Sequence, residues 1–223
     1  MALILNIETA TTHCSVALAR NGKVIFSKQI NEGYTHAENL HVFIDGIFKE
    51  ANCDPKQLNA VAVGSGPGSY TGLRIGVSAA KGLCFALQVP LIAINTLKIM
   101  TASIGRNETH LYCPMLDARR MEVYTAIYDH DLKEIKATSA EIVAMDNLDF
   151  FSGSKPLVFF GDGMAKCEEI LATLSHSTFI EGVFPSAETL AELSFESFSK
   201  QQFEDISTFE PFYLKDFLIK TKA

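Results

Sequence analysis

The first thirty residues alternate short apolar runs with turn residues. Residues 3–8 (LILNIE), 13–19 (HCSVALA) and 23–30 (KVIFSKQI) each predict a strand. Arg20-Asn21-Gly22-Lys23 joins the second to the third, and Asn-Gly is the strongest short hairpin signal. A turn at Thr9-Ala10-Thr11-Thr12 completes a three-stranded antiparallel meander. The pattern then changes period. Leu40, Phe43, Ile44, Ile47, Phe48 and Ala51 recur at the spacing of one helix face. Thr35 and Glu38 fit a capping box at its start, and Asn52 to Pro55 end it. Residues 58–63 predict a short buried strand, 64–69 a glycine-rich loop, Thr71 to Leu87 a helix and 91–94 another buried strand. A strand–helix–strand of this length predicts a parallel crossover.

The texture shifts after Asn95. Residues 97–104 read as a helix, and 110–116, 121–129 and 132–138 as strands with charged turns. LVFF at 157–160 is a buried strand ending in Gly161-Asp162-Gly163. Residues 164–174 and 186–200 read as helices. We expect a boundary near residue 100. Residues 1–100 then form one lobe and 101–223 a smaller one, whose last helix or tail returns to the first. Both halves run strands, helix, strand, a weak sign of duplication.

Composition narrows the class. The chain has 223 residues, 48% hydrophobic and 20% charged, which is a globular balance. No stretch approaches the roughly 18–20 apolar residues of a membrane span. The opening Met1-Ala2-Leu3-Ile4 lacks the basic start of a signal peptide. Five scattered cysteines without a C-x-x-C read as reduced thiols of a cytoplasmic protein. A net charge of −7 argues against a chain that grips RNA strongly by itself.

The candidate chemistry is sparse. Residues 64–82, GSGPGSYTGLRIGVSAAKG, carry the most distinctive pattern. Alternate glycines opening a helix suit a phosphate, yet the segment lacks the Lys-Ser/Thr of a P-loop and the spacing of a dinucleotide fingerprint. The competing reading is a packing seam: Gly72, Gly76 and Ala80 lie four apart, which favours a second helix packed very close. His36 and His41 stand at i, i+5, about 140° apart around a helix, and cannot easily share a metal ion. Glu8 ends the first strand and either holds a metal-bound water or nucleotide, or hydrogen-bonds its own turn. Asp117-Ala118-Arg119-Arg120-Met121-Glu122 is either a hairpin with an internal salt bridge or a contact surface. No Ser/His/Asp order, G-x-S-x-G elbow or zinc spacing is present, so no catalytic residue and no metal ligand is assigned.

LNIETATTHCSVAL (5–18), THAENL (35–40), GSGPGSYTGLRIGVSAAKGL (64–83), PMLDARRMEVY (114–124), GDG (161–163) and PFYLK (211–215), in this order, resemble the bacterial TsaB family, also called YeaZ, a glycoprotease-like (M22) group. The resemblance covers nearly the whole chain. It implies an α/β actin-like ATPase and sugar-kinase (ribonuclease H-like) fold, two related lobes each with a mixed sheet flanked by helices. It implies a non-catalytic scaffold in making the threonylcarbamoyl modification of adenosine beside the tRNA anticodon. The implied partners are a TsaD-like catalytic paralogue, a small TsaE-like ATPase and, in isolation, a second copy. tRNA is met only through the complex. No cofactor is implied for this chain, although a nucleotide at the partner interface is compatible with it. Carried over by position, the interface uses His36, Leu40, Phe43, Ile44, Ile47 and Phe48 on one helix and Gly72, Leu73, Gly76, Ala79 and Ala80 on the next. Glu8, Gly66, Gly68, Ser69 and Arg74 mark a vestigial nucleotide or anion site. Glu8 stands where many relatives have Asp, and Lys215 where Arg is common, which loses bidentate pairing. The alternative is a self-standing nucleotide hydrolase of that fold or a metallopeptidase.

Overall fold

The structure, a computed structural model, describes residues 1–33 and 35–215. Calls on the tail beyond 215 lie outside the described residues. Strands β1 (Leu3–Glu8), β2 (Cys14–Arg20) and β3 (Lys23–Ile30) form the antiparallel meander, and β4 (Ala60–Gly64) and β5 (Leu91–Ile94) add in parallel beside β1. The first sheet thus has the order β3-β2-β1-β4-β5. Asn21 and Gly22 take positive φ, 51° and 79°, as the hairpin signal requires.

Alternation along β1 sends side chains to two cores. Leu3, Leu5 and Ile7 pack on one face with Leu40, Ile44, Ile47 and Phe48 of α1 (His36–Glu50) and Val77, Ala80 and Cys84 of α2 (Tyr70–Leu87). Ala2 and Ile4 face the other side, where Ile99 of α3 (Thr96–Ala102) and Leu190 and Leu193 of α5 (Ala187–Ser199) cover them. α5 is fixed there by two buried polar contacts. Ser194 Oγ donates to Asn6 Oδ1 at 2.6 Å, and the Ala187 N–H donates to Ser15 Oγ at 2.9 Å.

The second sheet holds β6 (Leu111–Asp117), β7 (Glu122–Tyr128), β8 (Glu134–Ile142), β9 (Leu157–Phe160) and β10 (Ser177–Ile180), in the order β10-β9-β6-β7-β8. Met164, Cys167 and Leu171 of a short helical segment, ending in α4 (Glu168–Leu171), cover one face. Leu97 and Met100 of α3 cover the other, so α3 is shared between the two sheets.

Three local expectations change. The capping box does not form: Thr35 sits at φ −97°, ψ 18°, outside the extended region a capping hydroxyl needs, and its hydroxyl has no partner among the described residues. Its backbone carbonyl instead accepts from the Glu38 and Asn39 N–H groups, both at 3.1 Å. The helix expected over 164–174 shrinks to a 3-10 turn and the four residues of α4, with Met164, Cys167 and Leu171 fully buried against the sheet and Ile170 and Leu174 partly so. β10 went unread, since four half-buried residues on a sheet edge carry almost no periodic signal.

Candidate functional site

The glycine loop follows β4 and runs into α2. Its helix is capped by Ser69, whose Oγ accepts from the Gly72 N–H at 3.3 Å. The N–H groups an anion would use are taken within the chain. Gly66 N–H donates to Thr96 Oγ1 at 3.1 Å, and Ser69 N–H donates to the Ala10 carbonyl at 2.7 Å. Side chains at Gly66 and Gly68 would overlap the Phe212 and Ala10 carbonyls. Gly66 has φ +105°, a backbone that favours glycine. Of the expected anion-site residues, Glu8 is fully buried while Arg74 is exposed.

The glycine seam of α2 is also internal. Thr9 Oγ1 donates to the Gly72 carbonyl at 2.9 Å, and a Cβ at Gly72 or Gly76 would overlap Thr9 oxygens. The close neighbour is therefore the turn after β1, not a second helix. The expected docking residues are corrected with it. His36, Leu40, Ile47, Phe48, Gly72, Leu73, Gly76 and Ala80 are buried inside the protein, and Phe43 is half-buried against the same core. A periodic apolar stripe marks the face that meets the sheet, and the sheet is this chain's own. Only Ile44 and Ala79 of that set reach the surface feature beside them.

That feature is an apolar groove of about 630 Å³ between α1 and α2, bordered by Ala37, His41, Ile44, Ile75, Ser78 and Gly82. Two large apolar side chains stand exposed on the same helices, Val42 at 65% and Phe85 at 78%. Gly82 has open space where a side chain would lie. The i, i+5 histidines part as their spacing requires: His36 is buried, with its pKa lowered by burial, and His41 opens onto the groove.

Glu8 ends β1 with its carboxylate over Gly64. Oε1 accepts from the Ala10 N–H at 2.7 Å, as the turn reading expects, and Oε2 has no partner among the described residues. Burial raises its pKa to about 7, against the hydrogen bonds from the turn.

A third feature is the returning tail, where contacts join segments distant in sequence. Residues 204–215 cross the first lobe: Glu204 N–H donates to the Leu91 carbonyl at 2.9 Å, and Phe212 N–H to the Ser65 carbonyl at 2.7 Å. Tyr213 packs on Tyr70 with centroids 4.7 Å apart, and Arg74 Nε donates to Tyr213 Oη at 3.3 Å while lying over the Tyr70 ring. Lys215 then pairs with Glu122 and lies over Tyr124 on the second sheet. Tyr70, Tyr124, Tyr213 and Lys215 thus border one small cleft between the lobes.

The β6–β7 tip contains the charged segment. Its own carboxylates pair outward, Asp117 with Lys166 and Glu122 with Lys215, so the expected internal salt bridge is absent. Among the described residues no three His, Cys, Asp or Glu side chains gather to hold a metal, and no helix is long and apolar enough to cross a membrane.

Two five-stranded mixed sheets of like order, sharing a helix and flanked by others, define a two-lobed α/β protein of the actin-like ATPase and sugar-kinase fold. The activator of 2-hydroxyisocaproyl-CoA dehydratase from Clostridium difficile is similar in fold alone, with a TM-score of 0.50 at 9% identity over 91% of this chain and 98% of that one. Residues 31–221 match the family described as TsaD, tRNA N6-adenosine threonylcarbamoyltransferase, and the chain belongs to that family. Its full-length relatives there are TsaB, or YeaZ, proteins. The tRNA threonylcarbamoyladenosine biosynthesis protein TsaB of Bacillus subtilis (strain 168) is 29% identical over 216 residues, 95% of this chain and 93% of that protein. YeaZ from Pseudomonas aeruginosa has a TM-score of 0.83 at 26% identity, covering 96% of this chain and all of that one. The chain is thereby a protein of tRNA threonylcarbamoyladenosine biosynthesis.

Proposed function

We propose that the chain is a non-catalytic subunit that docks a TsaD-like transferase through the groove between α1 and α2. The observation that carries this is an apolar groove between α1 and α2, two helices whose inner faces already cover the sheet and which also expose Val42 and Phe85. Helices with a second apolar face invite another helix pair by ridge-into-groove packing. The same groove pairs two copies as a homodimer when the transferase is absent, and a TsaE-like ATPase joins the assembled complex. The work takes place in the cytoplasm, with tRNA reached through the complex. The lack of a catalytic role is supported by the parted histidines and by glycine-loop N–H groups turned to the chain's own acceptors.

The test is to mix the chain with its transferase and measure co-elution and threonylcarbamoyl transfer to tRNA. Phe85→Asp and Ile75→Asp are expected to weaken association at least about tenfold, since a charge in an apolar contact is left unpaired. Equal binding by wild type and both variants places the dock elsewhere. Absence of any complex sinks the reading. Hydrolysis of ATP by the chain alone in the presence of magnesium favours a self-standing hydrolase instead.

A further inference from the structure

The β6–β7 tip carries Arg119 and Arg120 in succession, both exposed. Their φ values, 71° and 53°, are left-handed, like those of Asn21 and Gly22 at the β2–β3 tip. Asparagine and glycine adopt that backbone readily, whereas an arginine adopts it at a cost. The surrounding contacts hold the tip in place. Asp117 Oδ1 accepts from the Arg119 N–H at 2.8 Å, and Asp162 Oδ1 accepts from the Asp117 N–H at 3.0 Å. Lys166 Nζ donates to the Glu122 carbonyl at 2.7 Å.

The same contacts leave the guanidiniums free. Asp117 and Glu122, the carboxylates within reach in sequence, are neutralised by Lys166 and Lys215 from other segments. Among the described residues neither Arg119 nor Arg120 donates a side-chain hydrogen bond or ion pair. Two exposed guanidiniums on a fixed backbone stand on a chain whose net charge is −7. Beside them lies the ring of Tyr124, whose hydroxyl feels the Arg119 charge, and beyond it Tyr213 and Tyr70 border the same cleft.

We infer that this tip is an RNA contact. Arg119 and Arg120 engage backbone phosphates, and the tyrosine-lined cleft mouth offers a stacking face to an unpaired base. Guanidinium forks match phosphate oxygens, and arginines interleaved with aromatic rings are the usual equipment for single-stranded segments. An acidic protein would satisfy the arginines but gives the adjoining rings no role. The net negative charge of the chain keeps affinity low until a partner adds to it. The choice of tRNA as the RNA rests on the proposed function above.

The decisive variant is the double change Arg119→Asn with Arg120→Gly, which gives the tip the residues its backbone prefers. It is expected to be at least as heat-stable as wild type, with weaker RNA binding. Arg119→Gln with Arg120→Gln is a second variant that removes charge without altering backbone freedom. An unmodified tRNA transcript is titrated, by fluorescence anisotropy, with the complex of chain and transferase at several salt concentrations. We expect affinity to fall about tenfold in both variants, and the slope of log affinity against log salt to shrink by roughly 1.5. Equal affinity and slope in wild type and variants, including no binding by any, overturns the inference. Loss of the transferase with tRNA affinity intact also overturns it and makes the tip a protein contact. If no complex forms, the proposed function fails, and the titration with the chain alone decides the inference by the same criteria.

Discussion

The two lobes share one strand plan and differ in what hangs from it. In each, three antiparallel strands are followed by two that run parallel to the first, so β1 to β5 correspond in order to β6 to β10. Between the third and fourth strands the first lobe inserts the 15 residues of α1, where the second has one 3-10 turn at Asp149–Phe151. Between the fourth and fifth, the 18 residues of α2 face the four of α4. Long helices are therefore not needed to close this sheet. Their presence in the first lobe builds the groove. The first turns differ too. Glu8 ends β1 buried with an unpartnered oxygen, while Asp117, at the same place in β6, is exposed and paired with Lys166.

This contrast is open to direct attack. The largest expected effect is Gly76→Leu. Side-chain atoms there collide with Thr9, so the variant should lose about 3 kcal/mol or more in chemical denaturation. A stable variant would mean that the seam is not tightly packed against the first turn.

The paired carboxylates come next, with opposite signs. Glu8 has its folded pKa raised from 4.5 to about 7 by burial. Its contribution is complete below pH 4.5 and falls as pH rises toward 7, a loss of about 3 kcal/mol. Glu8→Gln should flatten the stability profile across that window. For Asp117, burial raises the pKa, but the Lys166 bond, the Arg119 N–H and nearby cations together carry it below 3.8. Its contribution is present above 3.8 and is lost as pH falls through the lowered value. Asp117→Asn should cost under about 1 kcal/mol at neutral pH, because the pair is partly exposed. Parallel pH profiles for the two variants would erase the distinction.

The smallest effect is Gly82→Ala on the outer face of α2. With open space around it, the change should stabilise the helix by about 1 kcal/mol in thermal unfolding. Destabilisation would show that this face is already packed.

Much of the strand plan was legible. Asn21-Gly22 specified a hairpin, because few residue pairs accept two left-handed backbones, and the apolar run LILNIE specified a buried strand. The stripe from Leu40 to Phe48 specified α1 and its buried face. What that face meets was not written in it. A helix stripe records that an apolar partner exists, and both the chain's own sheet and a foreign helix satisfy the pattern equally. The glycines of α2 posed the same problem, since close approach leaves one sequence mark whichever backbone approaches.

The charged tip shows the limit most clearly. Asp117, Arg119, Arg120 and Glu122 suggest a closed local network when read in a line. Lys166 and Lys215, 49 and 93 residues away from their partners, take the two carboxylates. The amino-acid order by itself determined most of the strands and the helix faces, because those depend on spacing within one element, and its motifs carried the resemblance that implied the two-lobed class. The pairing of charges, the seating of the glycine seam and the surface left over depend on which elements the folded chain brings side by side.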